Sequence, residues 1–261
     1  MKNSISTPGF NFSKNVIAAA GVSIAYLLFS YMLVGFKTDQ LFLVALFNLL
    51  YFASSTSRKF ILGFSIFIVY WIIFDYMKAF PNYRFNQVHI ADLHAGEKSF
   101  FGINTTGGTI TPNEFWIIHQ NSFLDIICGI FYLCWIPVPL AFAAYLFFTN
   151  KNLFLQFSLT FVLVNLIGFV VYYTYPAAPP WYIQQHGSQF IPGTPGNTAG
   201  LIRFDNFFGA SIFKSLYAKG SNVFAAMPSL HSSYPLIVFY YGLKKRVGVM
   251  ASILFATVMV G

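Results

Sequence analysis

Pro228-Ser229-Leu230-His231-Ser232 sets a histidine where a long polar stretch runs into an apolar run. Imidazole is the side chain best suited to proton transfer near neutral pH. A helix start offers backbone N–H groups with no intrahelical partner, and these suit a phosphate oxygen. Side chain and position together point to phosphoryl chemistry at a membrane surface. The same local sequence also fits an ordinary helix N-terminus, with Ser229 as its cap and no ligand.

The other polar candidates gather in two long segments, 77–121 and 176–228. The first holds His89, Asp92, His94, Glu97 and Glu114; the second holds Pro179-Pro180-Trp181-Tyr182 and Gly200-Leu201-Ile202-Arg203-Phe204-Asp205. Asp75 and Asp125 stand at the ends of apolar runs. Each has a functional and a structural reading. Arg203 can grip phosphate through its planar fork or remain a solvated cation. Asp75 and Asp125 can serve a site or simply reach interfacial water. The run Pro176 to Trp181 can be a rigid helix stop with an interfacial tryptophan. His89 and His94 are five apart, a poor spacing for one helical face, and His186 is remote in the chain. No metal site is expected from them, and no cofactor is implied. Cys128 and Cys134 match neither a metal spacing nor a disulfide along one helix.

The elements that position these groups follow from composition. The chain is 57% hydrophobic, 20% aromatic and only 8% charged, against roughly 25% charged for a soluble domain. With 33 Phe in 261 residues, too little polar surface remains to wrap a water-soluble globule. The fold class expected is an all-α polytopic membrane bundle of about six to seven spans, each needing about 20 apolar residues. The runs are Asn15–Phe36, Gln40–Ser55, Phe60–Tyr76, Ser122–Phe148 (kinked by Pro137 and Pro139), Leu153–Tyr175, Ser229–Leu243 and Val247–Gly261. The net charge of +8 comes from basic residues scattered between apolar runs, so no nucleic-acid face forms. Residues 1–14 read as a cytoplasmic segment, 15–76 as N-terminal membrane helices, and 77–261 as a catalytic membrane domain.

Orientation follows from the short connections. With the N-terminus inside, Ser57-Arg58-Lys59, Asn150-Lys151-Asn152 and Lys244-Lys245-Arg246 are all cytoplasmic, and no Asp or Glu accompanies them. That satisfies the positive-inside rule. Both long polar segments then share the periplasmic, extracellular or luminal face with His231, Asp75 and Asp125. Long segments without strong periodicity are usually functional.

Taken in order, Asp92-Leu93 with Glu97 and Phe101-Gly102-Ile103, then Pro179-Pro180-Trp181-Tyr182, then Gly200 to Asp205, then Pro228 to Ser232 resemble the inositol phosphorylceramide synthases of the aureobasidin-sensitive type. Those enzymes lie within the type-2 phosphatidic acid phosphatase superfamily. The resemblance runs from about His89 to His231. It implies a metal-independent histidine site acting on phospholipid or sphingolipid substrates. Transfer of a phospho-head group is the activity it suggests; the alternatives are a lipid phosphate phosphatase or a catalytically silent membrane protein. His231 matches the acid/base histidine, and Ser229 with its neighbouring amides matches part of the phosphate cradle. Arg203, Asp205, Trp181 and Tyr182 become candidates for substrate binding, with Asp75, Asp92 and Asp125 in support. The superfamily's first basic motif, a Lys with Arg-Pro further on, is absent in standard form; Arg203, then Lys214 or Lys219, are the residues available to replace it. In the superfamily a second histidine attacks phosphorus, oriented by an aspartate four residues on. No His follows His231 and no acidic residue follows Asp205. Val247–Gly261 would rise about 22 Å as a helix, short of a hydrocarbon core about 30 Å thick. A continuation beyond Gly261 carrying that pair is therefore expected.

The topology has a direct check. A cysteine introduced at Lys245 should resist an impermeant thiol reagent added outside intact cells, whereas one at Gln189 should react. The reverse labelling pattern would move the polar segments to the cytoplasm.

Overall fold

A computed structural model describes residues 12–218 and 222–248. The chain divides into two compact units, Met1–Ala79 and Phe80–Gly261. In the first, α1 (Phe12–Val34), α2 (Thr38–Ala53) and α3 (Ser55–Tyr76) pack together, and α3 ends in a 3-10 turn, Met77–Ala79. Polar groups on these apolar helices find partners across the helix contacts, as a bilayer demands. Asn48 Nδ2 donates to Ser23 Oγ at 2.9 Å, Tyr51 Oη to Asn15 Oδ1 at 2.8 Å, and Ser30 Oγ lies 2.7 Å from Tyr76 Oη.

The second unit opens with a 3-10 turn, Asn82–Arg84, then α4 (Ala91–Phe101), a hairpin of β1 (Ile103–Thr105) and β2 (Gly108–Ile110), and α5 (Pro112–Ile118). The long apolar run follows as α6 (Ser122–Leu133) and α7 (Pro137–Thr149), then α8 (Lys151–Thr174). The second polar segment carries α9 (Pro180–His186), α10 (Ile202–Phe208) and α11 (Ile212–Ala218), and α12 (Leu230–Lys244) begins at the histidine element. Both segments that read as irregular are thus built from short helices, and one small antiparallel hairpin interrupts the all-helical pattern. Their spacing is too short and mixed to give a clear amphipathic period.

Among the described residues three helices are long and apolar enough to cross a membrane: Phe12–Val34, Lys151–Thr174, and α3 taken with its 3-10 turn. The pair α6 and α7 forms a fourth span if counted as one, bent by 43°. Pro137 supplies the break, since it lacks an N–H to continue the hydrogen-bond ladder of α6. All six apolar runs up to Leu243 are helical; the seventh lies almost entirely outside the described residues. Two of the short basic connections are tighter than the sequence suggested. Ser54 alone separates α2 from α3, and its Oγ accepts from Ser57 N at 3.0 Å. Asn150 alone separates α7 from α8, and its Oδ1 accepts from Leu153 N at 3.0 Å. Each is a side-chain cap that starts the next helix at once.

Two helical stripes organise the second unit. On α8, Phe157, Phe161, Asn165, Gly168 and Tyr172 recur at spacings of three and four and are buried. This face receives α12 and α7: Phe142 packs edge-on to Phe157, and Tyr241 Oη lies 2.8 Å from Thr160 Oγ1. A β-carbon at Gly168 would come within 2.8 Å of the Leu230 side chain, so glycine is what lets the start of α12 settle on α8. On α6, Asp125, Gly129 and Tyr132 form the second stripe, at i, i+4 and i+7. A β-carbon at Gly129 would stand 2.2 Å from the buried Phe204 ring of α10.

That contact yields a stability prediction. Gly129→Ala should lower the thermal midpoint, with a cost of about 1–3 kcal/mol for overpacking. Gly21→Ala in α1, where nothing lies within 4 Å of the added carbon, should be neutral or stabilising by up to about 1 kcal/mol. Thermal scans of both variants in one detergent provide the comparison; equal midpoints would mean that α6 and α10 are not close-packed.

Candidate active site

His231 is the first-turn residue of α12, and its surroundings come from three directions. The Pro137 break ends α6 just past Tyr132 and leaves Trp135 in the bend between α6 and α7. The His231 ring lies 4.2 Å from the Trp135 ring and 4.8 Å from the Tyr132 ring, centroid to centroid. Trp135 also stacks on Tyr234, one turn further along α12, at 5.6 Å and 13°. The imidazole is partly buried, and among the described residues neither ring nitrogen has a hydrogen-bond partner. Aromatic faces fix its plane while both nitrogens stay available for proton transfer.

The start of α12 is tied down from α8. Tyr172 Oη donates to the Pro228 carbonyl at 2.9 Å, and Tyr234 Oη donates to Asn165 Oδ1, whose Nδ2 donates to Phe161 O at 2.7 Å. Ser229 is exposed and makes no side-chain cap, contrary to the ordinary helix-start reading. Its carbonyl instead accepts from Ser233 Oγ at 3.1 Å. The first amides of α12 are therefore without a side-chain cap.

Of the other candidates, two come together. Arg203 Nε donates to Asp125 Oδ1 at 2.8 Å, and both side chains are largely shielded. Asp125 is seven residues, about 10 Å along the helix axis, from Tyr132. Asp205 is a correction. It is 2% exposed, and its carboxylate accepts from the backbone N–H groups of Ile212 and Phe213 at 3.1 Å and of Lys214 at 2.9 Å. A buried carboxylate so occupied anchors α11 rather than meeting a phosphate. Its influence is indirect: α11 carries Phe213 and Tyr217 against Tyr132, with Tyr217 Oη 2.6 Å from Tyr132 Oη.

Tyr182 is also structural. It is fully buried, donates to Gln189 O at 3.0 Å and accepts from Ile191 N at 2.9 Å. Trp181 packs beside it on the cluster of Ile90, Tyr182 and Phe224. Asp75 belongs to the first unit, where it pairs with Lys78 at 2.9 Å and Lys37 at 3.3 Å. Asp92 pairs with His89 Nδ1. Slight burial pushes the Asp92 carboxyl up, but bonds from His89 and the first amides of α4 outweigh it and hold it below the usual range. His94 Nε2 lies 3.1 Å from Glu114 Oε1, and His186 packs on Tyr182. The three histidines weighed for a metal thus have separate partners. Lys214 contributes its backbone N–H to Asp205, and Lys219 lies outside the described residues.

Sequence reasoning missed Tyr132, Trp135, Tyr172, Asn165 and Tyr217. The spacing of Asp125, Gly129 and Tyr132 was a legible signal for the first. Nothing local marks Tyr172 or Tyr217, whose roles depend on residues 56 and 85 positions away.

Residues 110–261 match the family model of the PAP2 superfamily, and the chain belongs to that superfamily. It is 39% identical to a phosphoinositol dihydroceramide synthase of Bacteroides thetaiotaomicron, over 95% of this chain and 82% of that protein. It is 30% identical to the inositol phosphorylceramide synthase catalytic subunit of Saccharomyces cerevisiae, over 63% of this chain and 40% of that protein. An inositol phosphorylceramide synthase of Candida albicans is 32% identical over 43% of this chain and 26% of its own length. The family resemblance carried by the motif order is borne out. No solved structure matches the chain.

The Asp205 anchor gives the next prediction. Asp205→Ala should cost about 2–5 kcal/mol, since three N–H groups, that of Phe213 buried, lose a charged acceptor. Amide exchange at Ile212, Phe213 and Lys214 should accelerate, and Asp205→Asn should fall between. Unchanged exchange at those amides would rule out the anchoring role.

Proposed function

We propose that this protein is a membrane lipid phosphotransferase that moves an inositol-phosphate head group from a phospholipid to a ceramide-type acceptor. The observation that carries the reading is the match to a phosphoinositol dihydroceramide synthase over 95% of the chain. The geometry supports it: an imidazole whose nitrogens have no partner among the described residues stands at a helix start whose amides have no side-chain cap. His231 protonates the departing alcohol oxygen of the donor and, in reverse, accepts the proton of the incoming acceptor hydroxyl. The free amides at the start of α12 and the Ser229 hydroxyl receive phosphate oxygens. Arg203, neutralised on one side by Asp125, offers its remaining N–H groups to the same charge.

The attacking group is a second histidine, as the superfamily pattern implies, set by an aspartate four residues further on. The active face is periplasmic, extracellular or luminal, with the N-terminus cytoplasmic and acyl chains kept in the bilayer. A site at the membrane rim suits an amphiphile, because the head group reaches water-side residues without extraction of the tails.

The test is His231→Asn in the protein expressed from its whole reading frame. With labelled phosphatidylinositol and ceramide, head-group transfer should fall by at least about 10², with the yield of folded protein kept. Full activity in that variant would leave His231 as a helix-start residue only. Release of inositol phosphate to water in place of transfer to ceramide would favour a hydrolase reading.

A further inference from the structure

A cleft of about 540 Å³ opens at the start of α4, away from the contacts of His231. Its lining includes Tyr83, Gln87, His89, Asp92, Ser188 and Phe190. The chemistry of this lining is distinctive for a protein whose reaction handles phosphate. Among the described residues no lysine or arginine lines the cleft, and Asp92 contributes a carboxylate that is 53% exposed. The amides at the start of α4, which an anion would otherwise seek, already bond the Asp92 side chain. An anion entering here would meet the negative charge of Asp92 with no lysine or arginine beside it among the described residues.

What the cleft does offer is a mixed set of donors and acceptors beside an aromatic wall. Asp92 Oδ2 takes His89 Nδ1 and, at 3.4 Å, Tyr175 Oη. The His89 ring is stacked on Tyr175 at 3.8 Å and 15°, which fixes its plane. His89 Nε2 has no partner among the described residues, and Gln87 and Ser188 add an amide and a hydroxyl. Tyr83 and Phe190 lie 5.6 Å apart, and both rest on the buried Phe224 ring. Hydroxyls are both donors and acceptors, so a ring of them matches such a lining, while the C–H face of the ring suits an aromatic surface.

The cleft is also built into the framework of the His231 element. His89 N donates to Pro176 O and Ala178 N to His89 O; Ala177 N donates to Phe224 O and Ala226 N to Ala177 O. These parallel bridges join three chain segments side by side. At about 4.8 Å per step, the His89 segment lies about 10 Å from the segment that leads into Pro228. Asn82 reinforces the join, with Nδ2 donating to Tyr172 O and Phe224 O, both at 2.8 Å.

We propose that this cleft binds a neutral cyclic polyol, with the Asp92 carboxylate and His89 Nε2 gripping adjacent hydroxyls and Tyr83 and Phe190 covering one ring face. The proposal rests on the phosphotransferase reading for its choice of polyol, an inositol. The source is a lipid head group or the free polyol, and the test separates them. Whole-reading-frame protein in nanodiscs of neutral lipid is mixed with free myo-inositol and followed by ligand-observed saturation-transfer NMR. A transfer signal should appear, fall at least about tenfold in both Asp92→Ala and Phe190→Ala, and resist added inorganic phosphate. Discs containing phosphatidylinositol should suppress the signal if the lipid head group is the occupant; an undiminished signal assigns the cleft to the free polyol. His231→Asn should keep the signal, so loss of the phosphotransfer reading and loss of the polyol site are read separately. No signal, a signal undiminished from wild type in either cleft variant, or displacement by phosphate would overturn the proposal.

Discussion

The seam between α8 and α12 is the contact on which the rest of the second unit depends. Gly168 lets Leu230 approach, Tyr172 holds the Pro228 carbonyl, and Asn165 holds the Tyr234 hydroxyl. Each is a polar or close-packed contact between apolar helices, where an unmet hydrogen-bonding group is costly. Together they set the position of the first turn of α12, and with it His231. Inside a bilayer there is little hydrophobic drive to bring two apolar helices together, so small residues and interhelical hydrogen bonds provide the specificity. The α8 stripe supplies both.

The second half of the histidine environment is assembled by relay. Asp205 ties the first amides of α11, α11 brings Tyr217 to Tyr132, and Tyr132 lies on His231. The proline break between α6 and α7 adds Trp135 from the other side. Beyond the Asp205 carboxylate, the groups in this relay are neutral aromatic side chains. Arg203 is instead committed to Asp125, and the Asp92 carboxylate is held by His89 Nδ1. A low-charge chain has few ions to spend, and unpaired ones near lipid are expensive.

The polar segments behave as folded caps. His89, Ala177 and Ala225 form one bridged layer, with Asn82 buried beneath it and Tyr182 and Phe224 at its centre. Backbone groups in these segments are satisfied by each other, so long stretches with little helical period still hold fixed geometry. That rigidity is what allows loops to carry sites at all.

The sequence by itself determined the class of this protein: apolar runs of spanning length, few charges, and a histidine placed at a helix start. The positions of the six apolar helices up to Leu243, the kink at Pro137 and the family followed from local composition and short motifs, because those signals are carried by consecutive residues. It pointed to Asp205, Tyr182 and Ser229 as ligand groups or caps, yet the first two are buried in structural bonds and the third caps nothing. Only the tertiary structure decided which polar groups are already satisfied and which remain free. A carboxylate or phenol reads the same in sequence whether its partner is solvent, substrate or an amide several residues on. Tyr172 and Tyr217 could be found only once α8, α11 and α12 were packed, since hydrogen-bond partners far apart in the chain leave no periodic trace in it.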